Sequence, residues 1–333
     1  MYKRKILQIV PKIDTCGVGD YAQRIGELLS KDMDVSYLAA SNQGKRISID
    51  GLSQHLNTWN ARDGKPTIVL QFSGYGYARW GLCLGLVVAL RRFLRKNPDC
   101  QLITMFHELW ANSWAQPAQR WIVKSLCAIS SKVRTNRQDS ADLLRRFWRH
   151  EELTVMPVPS NLGECIQLPD WHSKTPQIVM FQPPSAKTSA GSYFWKSWEC
   201  AQSFLGDLPT FVAGQSSELP DDTRIKVMGF LQVSEASRLL SCSQFSFSRY
   251  APRCYAKSGI FAALAAHATT CILPDDANSD ADGLFKGYHY LTTEQLRSHT
   301  PPQMAAIAGN VWHWYETHSI QKNADSFHEA ITR

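Results

Sequence analysis

The sequence has no Cys-x-x-Cys pair, although nine cysteines are spread along its 333 residues. An odd number of scattered cysteines gives neither the spacing of a zinc site nor the even count of a disulfide framework. Free thiols of this kind are typical of a reducing compartment. The sequence therefore predicts a cytoplasmic protein.

Long hydrophobic runs are also missing. The longest apolar stretch, Gly81 to Leu90, is about half as long as a membrane-spanning helix requires. The N-terminus passes directly into a strand-like run and lacks the longer apolar region of a signal peptide. These features argue against a secreted protein and against an integral membrane protein.

The excess of positive charge is modest, because 36 Lys and Arg residues face 29 Asp and Glu residues, a net charge of +7. An excess of this size suits an anionic ligand better than an obligate nucleic-acid interface. We therefore expect no nucleic-acid partner. Two basic helical clusters could instead contact acidic phospholipids on the inner face of a cytoplasmic membrane. They are Arg91, Arg92, Arg95 and Lys96, and Arg145, Arg146, Arg149 and His150.

Short β-branched runs alternate with helical patterns, which is typical of an α/β fold with parallel sheets. Four prolines between residues 157 and 176 interrupt the alternation, and a second alternating series follows. The pattern predicts two Rossmann-like domains, residues 1–155 and 156–311, that face each other across a cleft. Ligands of such sheets bind beyond the carboxyl ends of the strands, so the candidate chemistry should lie in those loops.

A pair of glycines follows the first predicted strand, Lys5–Val10. Gly17 and Gly19 allow the backbone to approach a phosphate or a sugar, and the next helix offers unpaired N–H groups to an anion. The spacing differs from the dinucleotide-binding Gly-x-Gly-x-x-Gly, because Ala22 stands at the third position. The alternative interpretation is a tight turn with Asp20 as the helix N-cap.

His107 and Glu108 follow the predicted strand Gln101–Phe106 directly. A histidine at the carboxyl end of a strand can accept or donate a proton near neutral pH. In an extended chain the two side chains point to opposite faces, so only one of them needs to face the cleft. A structural histidine is the alternative.

The segment 255–259, Tyr-Ala-Lys-Ser-Gly, opens a predicted helix. Lys257 supplies a charge, Ser258 is a plausible N-cap, and Gly259 leaves the helix amides accessible. Together they have the composition of a diphosphate site. Lys187, in the loop after another strand, could reach the same phosphates. The alternative is an ordinary capped helix with a solvated lysine.

Three groups of aspartates could suggest a divalent metal: Asp221 and Asp222, Asp275 and Asp276, and Asp280 and Asp282. Each group lies in a loop beside Pro, Asn or Gly, where aspartates commonly form turns. We therefore expect no metal site and no resident cofactor.

Six segments in this order resemble the retaining glycosyltransferases of family 4, which have the GT-B fold, and in particular a bacterial subgroup. They are 17–21 (Gly-Val-Gly-Asp-Tyr), 73–77 (Ser-Gly-Tyr-Gly-Tyr), 106–109 (Phe-His-Glu-Leu), 159–164 (Pro-Ser-Asn-Leu-Gly-Glu), 255–259 and 314–319 (Trp-Tyr-Glu-Thr-His-Ser). The resemblance extends through nearly the whole chain.

This resemblance implies an N-terminal acceptor domain, a C-terminal nucleotide-sugar domain and a last helix, about 312–331, that packs back on the first domain. It implies a nucleoside diphosphate sugar as donor, a glycan or lipid-linked acceptor, and retention of configuration. No metal is implied, because lysines and helix dipoles replace it. His107 and Glu108 would be the catalytic residues. The expected donor-binding residues are Gly17, Gly19, Lys187, Gly229, Phe230, Leu231, Tyr255, Lys257, Ser258 and Gly259, and the acceptor-side residues are Asp20, Tyr75 and Tyr77.

One departure from the family pattern concerns the donor loop. Members typically carry two glutamates eight positions apart there, the second of which holds the ribose, whereas this chain has Tyr255 and Ala263. A non-catalytic protein that binds sugar nucleotides or acts as a scaffold is therefore one alternative. A nucleotide-sugar epimerase is another, but it needs several carboxylates in the cleft, and only Glu108 and Glu164 are candidates.

Overall fold

The computed structural model describes residues 3–13, 16–42, 45–46, 49–59, 66–148, 153–215, 218–275 and 280–333. The chain divides into two compact units, Met1–Pro157 with Ile320–Arg333 and Val158–Ser319. Each unit is built on a six-stranded parallel sheet whose strands are joined by helices. The predicted α/β class with two Rossmann-like halves is therefore confirmed.

The first unit contains a six-stranded parallel sheet and a separate two-stranded antiparallel pair. Its strands are β1 (Arg4–Val10), β2 (Met33–Ala39), the short antiparallel pair β3 (Ser41–Asn42) and β4 (Lys45–Arg46), β5 (Thr67–Ser73), β6 (Gln101–Glu108), β7 (Lys132–Thr135) and β8 (Leu153–Val155). Its helices are α1 (Gly17–Leu29), α2 (Ile49–Trp59), α3 (Gly74–Tyr77), α4 (Leu84–Lys96), α5 (Gln116–Ile129), α6 (Gln138–Leu144) and α11 (Ile320–Thr332). The parallel strands lie in the order β2-β1-β5-β6-β7-β8. Every residue of β5 is buried, as expected of a central parallel strand.

The second unit contains the other sheet. Its strands are β9 (Thr175–Phe181), β10 (Thr210–Ala213), β11 (Ile225–Gly229), β12 (Ser243–Phe247), β13 (Thr270–Leu273) and β14 (Leu291–Thr292). Its helices are α7 (Ser189–Leu205), α8 (Val233–Cys242), α9 (Gly259–Ala266) and α10 (Pro301–Glu316). The strands lie in the order β11-β10-β9-β12-β13-β14. None of the helices in the described parts of the chain is long and apolar enough to cross a membrane.

The C-terminal stretch forms two helices rather than the single helix expected over 312–331. α10 ends at Glu316, where the Thr317 hydroxyl donates to the carbonyl of Trp314 at 2.8 Å. Such a local bond offers the backbone an alternative to continuing the helix. α11 then packs on α1 within the first unit, and the Tyr21 hydroxyl donates to Oδ1 of Asn323 at 2.9 Å.

Candidate functional site

In the first unit, the candidate residues lie at the carboxyl ends of three neighbouring strands, β1, β5 and β6. The segments that follow these strands also touch. A Cβ on Gly76, after β5, would lie 2.5 Å from Pro11, after β1. The hydroxyl of Tyr77 lies 2.9 Å from the main-chain oxygens of Ile9 and of Gln71. The fold therefore brings three features to one edge of the sheet: the glycine loop with Gly17 and Gly19, the tyrosines of α3, and His107.

His107 occupies an irregularity in the pairing of β5 with β6. Phe72 pairs with Phe106 and Ser73 with Glu108, so His107 is an extra residue in its strand. The strand continues through Glu108 instead of stopping before His107 as predicted. Bulges of this kind change the direction of a side chain and are frequent beside active sites.

The imidazole of His107 is buried, with 7% of the residue exposed. Its Nε2 lies 2.8 Å from Oε1 of Gln71, whose Nε2 donates to Oε1 of Gln8 at 2.9 Å. This pattern of donors and acceptors places the proton of the neutral ring on Nε2. Burial lowers the pKa of His107 to about 3, because the charged ring would lose its hydration. The predicted proton exchange near neutral pH is therefore wrong: the ring is neutral there.

Tyr21, which packs against this ring, and Glu108, which follows it in the chain, differ in exposure. Tyr21 meets His107 edge to face, with ring centroids 5.0 Å apart, and burial raises the pKa of its hydroxyl. Tyr21 is not among the functional residues that the sequence predicts. Glu108 is exposed, and its Oε2 accepts a hydrogen bond from the Ser73 hydroxyl at 3.2 Å. Of the two predicted catalytic residues, His107 is thus held in the interior and Glu108 is open to solvent.

The glycine loop forms the first turn of α1, which starts at Gly17 with Cys16 as N-cap. A Cβ on Gly19 would collide with the main-chain oxygen of Lys12, whereas a Cβ on Gly17 would meet no atom within 4 Å. Packing therefore requires glycine only at position 19, and the space beside Gly17 is open. Asp20 is not the N-cap but lies inside the helix.

Three predicted acceptor-side residues have different surroundings. The Asp20 carboxylate pairs with Nε of Arg24 at 3.0 Å. Tyr75 is exposed, and its hydroxyl lies 3.3 Å from Nε2 of Gln119. Tyr77 is buried, and its hydroxyl contacts the main-chain oxygens of Ile9 and Gln71. Its side chain therefore supports the protein backbone and is not exposed to an acceptor substrate. The acceptor-side assignment of Tyr77 is therefore corrected.

In the second unit, the strand order corresponds to 3-2-1-4-5-6 when strands are numbered within the unit. This is the order of dinucleotide-binding Rossmann sheets, which bind their ligand where the order reverses. The reversal lies between β9 and β12, which are hydrogen-bonded neighbours. The loops that follow these two strands carry the predicted phosphate-binding lysines.

Lys187, in the loop after β9, has an acidic partner. Its Nζ lies 2.8 Å from Oε1 of Glu218, and the Ser185 hydroxyl donates to the other carboxylate oxygen at 2.7 Å. These two hydrogen bonds hold the pKa of Glu218 below its usual value. Lys187 is largely exposed, so a ligand can reach it. An anionic ligand must compete with the Glu218 carboxylate for this lysine.

The N-terminus of α9 follows the loop after β12. The Ser258 hydroxyl accepts from the N–H of Phe261 at 3.1 Å and so caps the helix. Residues from Phe261 onward are buried, whereas Lys257, Ser258 and Gly259 are partly exposed. A Cβ on Gly259 would lie 3.0 Å from Cγ of Asn161, so this turn is closely packed. The positive end of this buried helix is therefore packed on the side of Asn161 and partly exposed at Lys257, Ser258 and Gly259.

Tyr255 is a core residue rather than a donor-binding one. It is fully buried and stacks on Phe261, with parallel rings whose centroids lie 3.6 Å apart. Its hydroxyl lies 3.8 Å from Sγ of Cys271. Ala263, at the other position where the family typically has glutamate, is also fully buried. The donor-binding assignment of Tyr255 is therefore corrected, because its side chain is committed to packing.

The predicted donor-binding residues Gly229, Phe230 and Leu231 lie at the end of β11 and directly after it. Gly229 has a φ of 67° and its carbonyl accepts from the N–H of Gly214 at 2.6 Å. Phe230 is 79% exposed. Leu231 lines an open pocket of about 280 Å³ together with Met228, Glu235, Arg238, Leu239 and Cys242. The segment thus offers an exposed ring beside a small pocket.

Among the residues that the structure describes, no group of three or more His, Cys, Asp or Glu side chains could hold a metal ion. Asp222 instead pairs with Nη2 of Arg224 at 2.6 Å. Asp276, Arg149 and His150, which belong to the predicted acidic and basic clusters, lie outside the described residues.

No protein-family model matches the chain, and no curated protein gives a significant match. Solved structures do match. One is an α-glucosyltransferase in complex with UDP and a 13-mer DNA containing an HMU base, at 10% identity over 100% of both chains, with a TM-score of 0.58. Another is the pneumococcal O-GlcNAc transferase GtfA with UDP and GlcNAc, at 11% identity over 88% of this chain and 63% of that one, with a TM-score of 0.55.

A third match is a Listeria monocytogenes protein assigned as a UDP-N-acetylglucosamine 2-epimerase, at 9% identity over 94% of this chain and 93% of that one, with a TM-score of 0.54. At this level of identity the likeness shows the fold alone. The chain has the GT-B fold. The exclusion of nucleic-acid partners was wrong, because α-glucosyltransferases of this fold are solved in complexes with DNA.

Proposed function

We propose that the protein is a glycosyltransferase that takes its sugar from a nucleoside diphosphate sugar. The observation that carries the proposal is the reversal of strand order between β9 and β12. The two loops that follow these strands contain Lys187 and the segment 257–259. A diphosphate at this position would meet the open N-terminus of α9 and the cations beside it, as anions at helix N-termini commonly do.

These groups would act on the leaving diphosphate. Its negative charge grows as the bond to the sugar breaks, so fixed positive charge stabilises the transition state more than the ground state. Lys257 and the first N–H groups of α9 would supply most of this stabilisation. Lys187 would contribute once Glu218 releases it.

We further propose that the transfer retains the configuration of the sugar and needs no metal ion. The resemblance to family 4 supports both points. The lysines and the helix N-terminus have the charge that a divalent cation would otherwise supply. Glycine at position 17, with open space beside it, is suited to the close approach of the donor.

His107 would position a hydroxyl group of the sugar or the acceptor. Its Nε2–H is engaged by Gln71, so the neutral ring offers the lone pair of Nδ1 as a hydrogen-bond acceptor. We expect His107→Ala to lower kcat and to leave donor affinity nearly unchanged, because the contact matters most in the transition state. An unchanged kcat per folded molecule would remove His107 from the mechanism.

Two acceptor classes fit this chemistry. The family resemblance supports a glycan or lipid-linked acceptor. The α-glucosyltransferases solved with UDP and DNA support a nucleic acid.

Two other activities give different products. An epimerase is favoured by the Listeria match, but both of its candidate carboxylates already have partners: Glu108 accepts from Ser73, and Glu164 accepts from Tyr315. A non-catalytic sugar-nucleotide binder is favoured by the buried Tyr255 and Ala263. Incubation with a panel of nucleotide sugars separates the three. A transferase slowly releases free nucleotide, an epimerase changes the sugar without release, and a binding protein does neither.

Calorimetry with UDP and with uridine tests the phosphate site, and UDP is the first choice because the matched structures hold it. We expect Lys257→Ala to weaken UDP binding by about 10- to 100-fold and uridine binding hardly at all, because the lost contact is with phosphate. Lys286→Ala, an exposed lysine of the same unit, is the matched control. An equal loss for both ligands would contradict the assignment.

A further inference from the structure

Two segments of the first unit, 74–98 and 109–138, contain ten Lys and Arg residues and no Asp or Glu. At the average acidic content of the chain, these 55 positions would hold about five acidic residues. Seven of the ten cations are exposed. They are Arg79, Arg91, Arg92, Arg95, Lys96, Arg120 and Lys124. The segments include α4 and α5, which pack side by side, so six of these seven cations lie on two adjacent helices.

Exposed aromatic rings lie in the same two segments. Trp114 is 71% exposed, and Tyr75, Trp80 and Trp121 are also open to solvent. Trp80 and Trp114 form a pair with centroids 5.9 Å apart, and the guanidinium of Arg79 lies 5.5 Å from the Trp80 ring. Flat rings and the guanidinium of Arg79 are therefore presented together after the ends of β5 and β6.

A buried glutamine holds these rings in place. Gln119 is 3% exposed, and its Nε2 donates to the carbonyl of Trp80 at 2.7 Å and to the Tyr75 hydroxyl at 3.3 Å. Its Oε1 accepts from the N–H of Ala111, in the loop that carries Trp114, at 2.9 Å. Trp80 itself has a left-handed backbone, with a φ of 59°, which a bulky residue adopts only when its surroundings impose it. Hydrogen bonds from the protein interior therefore fix the segments that carry Tyr75, Trp80 and Trp114.

We propose that this aromatic-basic surface, made of Tyr75, Trp80, Trp114 and Trp121 with the seven exposed cations, binds single-stranded nucleic acid. The proposal rests on the proposed function, whose acceptor it would identify. A single strand has both features that the surface matches, since its phosphates pair with cations and its unpaired bases stack on aromatic rings.

An anionic membrane is the competing partner because acidic headgroups attract the same cations, and insertion of a helix into it would in addition need a continuous apolar stripe. On α4 the large exposed hydrophobic residues are Leu84 and Val88, in its first half. The exposed residues that follow are cations.

Fluorescence anisotropy with a labelled single-stranded DNA of mixed sequence tests the proposal. We expect the wild-type chain to bind, and the affinity to fall steeply as salt is raised. Trp114→Ala should weaken binding by about 5- to 100-fold, because one stacking partner is lost. Trp114→Phe should restore part of the loss. Arg91→Gln with Arg92→Gln should reduce the salt dependence.

Tyr288→Ala is the matched control, because Tyr288 is a 56% exposed aromatic residue of the second unit. Failure of the wild-type chain to bind DNA at low salt would overturn the proposal, as would equal effects of Trp114→Ala and Tyr288→Ala. Vesicles with acidic lipids provide the other arm, and binding to them alone would assign the surface to membranes. UDP affinity, measured on the same samples, separates the two claims. A wild-type chain that binds UDP but not DNA refutes only the nucleic-acid proposal. A wild-type chain that does not bind UDP refutes the proposed function.

Discussion

Nε2 of His107 lies 2.8 Å from Oε1 of Gln71, and Gln71 donates in turn to Gln8. These three side chains come from the neighbouring strands β6, β5 and β1, and all three are buried. The chain of hydrogen bonds fixes both the orientation and the tautomer of the imidazole. His107 is therefore suited to a directional hydrogen bond at physiological pH and unsuited to general acid-base catalysis.

The low pKa of His107 predicts a loss of stability in mild acid. In the unfolded chain this residue titrates near pH 6.5, whereas burial lowers its pKa to about 3 in the folded chain. The unfolded state therefore binds more protons between these values, and stability falls as the pH drops below about 6.5. At about pH 5 we expect this histidine alone to cost about 2 kcal/mol. Urea unfolding near pH 7.5 and near pH 5 measures the effect.

The variant His107→Gln should reduce this pH dependence, because glutamine keeps a donor for Gln71 without a titrating group. The exposed His55→Gln is the control. His318, whose pKa burial also lowers to about 3, should contribute a separate loss that remains in the His107 variant. If His107→Gln loses as much stability in acid as the wild type, the buried neutral imidazole is refuted.

The two glycines of the first turn of α1 predict opposite outcomes. Gly19→Ala should destabilise the fold by about 1–3 kcal/mol, because its Cβ would collide with the main-chain oxygen of Lys12. Gly17→Ala should change stability by less than about 1 kcal/mol, because nothing lies within 4 Å. Thermal unfolding and donor turnover, measured on both variants, test the pair. If the donor approaches Gly17, the Gly17→Ala variant should stay folded but turn over the donor more slowly. Full activity of this variant would place the donor elsewhere.

The strands were the most predictable part of the fold. β1 begins one residue before the predicted strand Lys5–Val10 and ends with it, because a short apolar, β-branched run between polar residues and a loop is typical of a strand. The burial of His107 could not be predicted in this way, since it depends on how β5 pairs with β6. The pairing of Lys187 with Glu218 joins residues 31 positions apart, and no local pattern indicates it.

The packing of Tyr255 predicts that glutamate, the residue that the family typically has at this position, does not fit here. We expect Tyr255→Glu to destabilise the chain by more than about 4 kcal/mol, because a carboxylate would replace a fully buried ring that stacks on Phe261. Tyr255→Phe should cost less, about 1–2 kcal/mol, since it keeps the stack and loses the hydroxyl's contacts with Cys271 and Ser248. Chemical unfolding of both variants measures this difference. A stable Tyr255→Glu variant with tighter UDP binding would show that the position faces the donor after all.

The ion pair between Lys187 and Glu218 predicts that donor binding is stronger without the carboxylate. A phosphate that takes the place of Glu218 must break the 2.8 Å contact with Lys187 and the hydrogen bond from Ser185. We therefore expect Glu218→Gln to tighten UDP binding about two- to fivefold at low salt, the range expected for exposed pairs. The gain should shrink at high salt, because the pair is exposed and screened. Asp221→Asn, which changes the net charge equally at an exposed site of the same unit, is the control for a general electrostatic effect. Weaker UDP binding by Glu218→Gln would mean that the carboxylate orients Lys187 for the phosphate instead of competing with it.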